Sequence, residues 1–95
     1  MSDGSAPDGL GHVAASDHRE TTVRRLTDSP ATPSVIAEDI GLDTSHVSRA
    51  LKSLRGKDLV ELLVDEDRRK GRVYALTAEG EEVVEFLDEM GGGEK

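Results

Sequence analysis

The sequence predicts an α+β fold in one domain: three helices, a two-stranded β-hairpin and a C-terminal helix. Three observations carry this expectation. Two stretches with helical apolar spacing, around Ile36 and Leu51, are joined by a turn of about three residues that contains Gly41, the pattern of a helix-turn-helix. An apolar, partly β-branched run over 59–64 resumes at 72–76 after the charged stretch DEDRRKG, which reads as a hairpin with a charged tip. Beyond it, Val83, Phe86, Leu87 and Met90 return to helical spacing opposite Glu81, Glu85 and Asp88.

Taken in order, residues 1–16 are rich in Gly, Ser, Asp and Pro without apolar periodicity and predict a disordered N-terminal tail. Residues 91–95, GGGEK, predict a flexible C-terminal tail, so the folded domain is expected over 17–90. Asp17 followed by Glu20 has the spacing of a capping box, and Val23 and Leu26 lie one turn apart, giving a first helix from about 18 to 28. Pro30 turns the residue before it away from helix. Thr32 then caps a second helix with Pro33 in its first turn; Ile36, Ala37 and Ile40 share its inner face and Gly41 ends it. Asp43 caps the third helix, whose inner face holds Val47, Ala50, Leu51 and Leu54, and Thr77 caps the last.

Composition excludes several kinds of chemistry. The 95 residues include one Phe, one Tyr, no Trp and no Cys. The core must therefore be aliphatic, and disulfides, thiolate metal sites and cysteine nucleophiles are ruled out. No apolar run approaches the roughly 20 residues that span a bilayer, and the N-terminus lacks a signal-peptide pattern. A soluble, cytoplasmic protein is expected. Neither a metal nor a cofactor is expected, because His12, His18 and His46 have no metal-ligand spacing. No catalytic residue is expected either, since no paired acid and base, nucleophile elbow or phosphate loop appears.

Net charge is −8, which by itself opposes a polyanionic partner, but the charge is unevenly distributed. Residues 41–57 hold Arg49, Lys52, Arg55 and Lys57 against the single acid Asp43. At 100° per residue, burying Val47, Ala50, Leu51 and Leu54 turns Ser45, Arg49 and Lys52 outward, with Thr44, His46, Ser48 and Ser53 on the flanks. Surface helices commonly show Ser, Arg and Lys. Here an acidic chain departs from its own composition at the one helix that follows a helix-turn-helix turn. Arg49 suits a bidentate contact to guanine, Ser45 and His46 lie in the first turn where base edges are met, and Lys52 suits phosphate. Thr32 and Ser34, at the start of helix two, suit a phosphate beside unpaired backbone N–H groups. Arg68, Arg69, Lys70 and Arg72 on the hairpin suit a wing that follows the sugar-phosphate backbone or enters the minor groove.

The expected partner is therefore double-stranded DNA. A homodimer is expected as well, through the broad C-terminal stripe of Val83, Val84, Phe86, Leu87 and Met90, which otherwise serves to cover the core. The main alternative is a protein-interaction module of the same fold, in which helix three is merely solvated and the acidic last helix meets a basic partner.

Residues 33–80 resemble winged helix-turn-helix regulators of the MarR type, and more loosely those of the ArsR and Lrp types. The resemblance rests on PSVIAEDIGLDTSHVSRALKSL and DLVELLVDEDRRKGRVYALTAEG. Within these, Val47, Ser48 and Arg49 match the recognition helix, Leu59 and Val60 the first strand, Asp67, Arg68 and Arg69 the wing, and Leu76, Thr77 and Gly80 the start of the next helix. The resemblance implies transcriptional regulation, with Arg69 reaching the minor groove and Asp67 holding the wing or pairing with an arginine. Asp58 stands where such regulators usually have glycine. Without the long flanking helices that enclose a ligand pocket in full-length relatives, no small-molecule effector is expected. In composition, the excess of acids resembles proteins of salt-loving archaea.

Overall fold

The computed structural model describes residues 9–63 and 72–89. Five helices and two strands follow in the order α1 (Leu10–Ala14), α2 (Asp17–Leu26), α3 (Pro33–Ile40), α4 (Thr44–Gly56), β1 (Val60–Leu63), β2 (Val73–Leu76) and α5 (Ala78–Leu87). The α+β architecture is the one the apolar spacing predicts, with a short helix added in front.

That added helix corrects the expectation of a disordered tail over 9–16; residues 1–8 lie outside the described residues. Leu10 and Val13 stand one turn apart, and Val13 is fully buried in the core with Leu10 packed against it. A five-residue helix is too short to be stable alone, so its order comes from this burial rather than from propensity. The cap of α2 also shifts by one residue. Ser16, not Asp17, holds the extended N-cap position and accepts from the Arg19 N–H at 3.3 Å, leaving Asp17 and Glu20 inside the first turn, where acids favour the helix dipole.

The other caps follow local chemistry. Thr32 accepts from the Val35 N–H at 3.3 Å, with Pro33 opening α3. Gly41 closes it at φ 74, in the left-handed region that glycine enters without a Cβ clash. Asp43 occupies the N-cap of α4 without a side-chain capping bond; its carbonyl accepts from His46 and Val47 at 3.0 and 3.2 Å. Thr77 accepts from the Gly80 N–H at 3.1 Å and donates to the Asp58 carbonyl at 2.7 Å, so one hydroxyl starts α5 and ties it to the end of α4. Gly80 is needed there because a Cβ would run into the Leu59 carbonyl.

Strands β1 and β2 are antiparallel, with Val60 opposite Leu76 and Leu63 opposite Val73. A third segment joins them: Ala31 exchanges both backbone hydrogen bonds with Tyr74, at 2.8 and 3.1 Å. The hairpin is thereby stitched to the α2–α3 connection. Val23, Ile36, Val47, Leu51, Leu54 and Leu59 form the centre of the core. Val83, Val84 and Leu87 close it from the other side and are buried. Of the stripe expected either to meet a second copy or to cover the core, Val83, Val84 and Leu87 cover the core, Phe86 is half-buried, and Met90 lies outside the described residues. The tail expected over 91–95 lies outside them too.

Candidate nucleic-acid interface

Helix α4 carries the expected outward face. Val47, Ala50, Leu51 and Leu54 are buried, and this fixes Ser45, Arg49 and Lys52 on the opposite side, all exposed. Thr44, His46 and Ser48 are exposed as well. On α3, Ser34 is exposed, whereas the Thr32 hydroxyl is occupied as the cap. Arg72 is exposed at the start of β2. Arg68, Arg69 and Lys70 lie outside the described residues.

Ser53 differs from its neighbours on the face. It is half-buried, with Oγ 2.7 Å from His12 Nε2, so it joins α4 to α1. Burial pushes the His12 pKa below the ordinary histidine value, and the charges of Arg19 and then Lys57 add to the effect. Arg19 is held in turn, its Nε donating to the His12 carbonyl at 2.8 Å.

These contacts reveal residues that sequence reasoning missed. A cleft of about 340 Å³ lies between the start of α2 and α4, lined by Ser16, His18, Arg19, His46, Arg49, Ala50 and Ser53. The rings of His18 and His46 meet across it, with centroids 4.7 Å apart at 43°. Among the described residues no acid lines the cleft. No sequence signal announces it, because its two walls are about 30 residues apart in the chain and only packing brings them together.

The pairing of charges sharpens the contrast. Toward the C-terminal end of α2, Arg24 meets Glu20 at 3.2 Å and Asp88 at 2.8 Å, and Arg25 meets Asp39 at 2.7 Å. On α4, neither Arg49 nor Lys52 forms an ion pair with a described carboxylate. Among the described residues no cluster of His, Asp and Glu could hold a metal ion, and no helix is long and apolar enough to cross a membrane.

Neither a family model nor a curated protein matches the chain. Solved structures do. The reduced form of the transcriptional regulator YodB from B. subtilis superposes with a TM-score of 0.76 at 21% identity, over 87% of this chain and 82% of that one. MepR of S. aureus in complex with DNA gives 0.72 at 25% identity, covering 85% and 71%. A mutant MarR from E. coli complexed with operator DNA gives 0.72 at 19%, covering 87% of this chain and 60% of MarR, so the chain spans about three fifths of that relative. The chain has the winged-helix fold of the MarR-type transcriptional regulators.

Proposed function

We propose that this protein is a transcriptional regulator that binds duplex DNA sequence-specifically, with α4 in the major groove. The observation that carries the reading is the exposed face of Ser45, Arg49 and Lys52, which bears no acid in a chain of net charge −8. Two relatives of the same fold, MepR and MarR, were solved on DNA. In this reading Arg49 and the first-turn residues Ser45 and His46 meet base edges, while Thr44, Ser48 and Lys52, together with Ser34 on α3, meet phosphates. Arg68, Arg69, Lys70 and Arg72 are the wing contacts to backbone or minor groove. A second copy on a second half-site completes the proposal. Among the described stripe residues of α5, only Phe86 is open enough to contribute to a contact between copies.

Fluorescence anisotropy with a pool of genomic fragments, including the one upstream of the protein's own gene, across a KCl series tests this directly. Selective binding that weakens with salt is expected. Arg49→Ala should cost about 1–3 kcal/mol on the preferred site and little on random DNA. Equal losses on both would remove Arg49 from base reading. Failure to bind any duplex at low salt would favour the protein-interaction module, with the exposed acids Glu79, Glu82, Glu85 and Asp88 of the α5 region as its contact surface.

A further inference from the structure

The cleft between α2 and α4, in which no described acid takes part, shares His46 and Arg49 with the helix-turn-helix surface and so runs along the edge of the α4 face. Beside Ala50, its walls supply hydrogen-bonding and cationic groups: Ser16, His18 and Arg19 from the start of α2, and His46, Arg49 and Ser53 from α4. The nearby acids are engaged or lie outside it. Glu20 is paired with Arg24, while Asp17 and Asp43 are exposed at the starts of the two helices and do not line the cleft. The guanidinium groups of Arg19 and Arg49 repel one another, and an anion between them would relieve that repulsion.

We propose that this cleft seats one backbone phosphate of the bound duplex, lateral to the groove that α4 reads. The proposal rests on the DNA-binding reading above. Arg19 is pre-positioned, since its Nε is fixed on the His12 carbonyl and the terminal nitrogens remain to donate. The imidazoles of His18 and His46 each add a ring N–H donor beside the two guanidinium groups. Charged groups facing the ring pair come from both packed helices, Arg19 from α2 and Arg49 from α4; His12 of α1 is engaged by Ser53. His18 and Arg19 thereby extend the interface about one helix diameter beyond α4, roughly 10 Å.

Anisotropy titrations of the full chain over a KCl series test the proposal. Arg19→Gln should lower the salt slope by about 1, and His18→Ala should weaken duplex binding several-fold. Melting curves check that the variants fold; if Arg19→Gln does not, the affinity of His18→Ala decides alone. Wild-type affinity and salt slope in both variants overturn the phosphate seat and leave the DNA reading standing. If wild type binds no duplex, the DNA reading fails and the phosphate seat on DNA with it. An NMR titration with inorganic phosphate then identifies the source of the anion. Saturable shifts of the His18 and His46 ring signals that vanish in Arg19→Gln would retain the anion site for a free phosphate, and their absence would overturn it entirely.

Discussion

His12 shows how much one side chain outside the recognised motif can hold. Its Nε2 lies 2.7 Å from Ser53 Oγ, and its carbonyl receives Arg19, so a single residue of α1 braces both α2 and α4. Burial first, then Arg19 and Lys57, lower its pKa in the folded protein, which means folding favours the neutral ring. The unfolded chain takes up the proton first as pH falls. Its stabilising contribution is therefore present above pH about 6.5, the ordinary histidine value, and is lost as pH falls through the lowered folded value. Urea melts at pH 7.5 and 5.5 should show wild type losing stability on acidification and His12→Gln losing less. A variant that loses as much as wild type would assign the acid sensitivity to other groups. Little of this is legible in the sequence, where His12 sits in LGHVA amid Gly, Ser and Asp. The pair Leu10 and Val13 is too short a period to announce a helix. Ser53, expected among the DNA-facing residues, has its hydroxyl engaged by His12, and its part in any interface is to fix α1 on α4.

At the scale of elements, most caps and the β1–β2 hairpin were readable because they are local, and the pairing of Ala31 with Tyr74 was not because it is distant. Thr32, Gly41 and Thr77 mark helix ends with their own hydroxyls or missing Cβ. The Ala31–Tyr74 bridge joins residues 43 apart, and Ala31 stands between two prolines with no alternation to reveal it. The end of α4 is the most informative case. Asp58 adopts φ 62, the left-handed conformation that glycine enters most easily. Its N–H reaches the Arg55 carbonyl at 3.0 Å and the Leu59 N–H reaches Leu54 at 3.0 Å, which are the two bonds of a Schellman motif. The backbone thus keeps the glycine geometry with an aspartate in it. Left-handed backbone costs an L-residue about 1–2 kcal/mol, and glycine returns about 0.4–1 kcal/mol of that through its freer unfolded chain. Asp58→Gly should therefore stabilise the fold by up to about 1 kcal/mol, while Asp58→Val should lose about 1–2 kcal/mol because a β-branched residue tolerates that region least. Thermal melts of the two variants should move in opposite directions. A destabilised Asp58→Gly would mean that the carboxylate contributes more than its backbone strain costs.

The whole molecule sets two electrostatic effects against each other, and salt separates them. Glu79, Glu81, Glu82, Glu85, Asp88 and Glu89 are all exposed on or just after α5, while the cations of α4 lie on another side of the core. That asymmetry was legible from charge positions alone, whereas the cleft that gathers Arg19 and His18 beside Arg49 was not, because only packing brings α2 to α4. With net charge −8 the compact state repels itself. The three described ion pairs oppose this repulsion, but exposed pairs contribute about 0–1 kcal/mol each and are themselves screened. Screening the repulsion should therefore win. As KCl rises toward about 1 M the Debye length shrinks from about 10 Å at 0.1 M to about 3 Å, shorter than most spacings between surface charges. The melting temperature is expected to climb over that range, most steeply at the low-salt end. Over the same series, affinity for duplex DNA should fall, because released counterions drive that association. Opposite slopes in one buffer series would assign stability to the acidic surface and DNA binding to the basic one. A melting temperature that falls with KCl would mean that the ion pairs of Arg24 and Arg25 outweigh the repulsion, and the acidic excess would then need a different explanation from stability in salt.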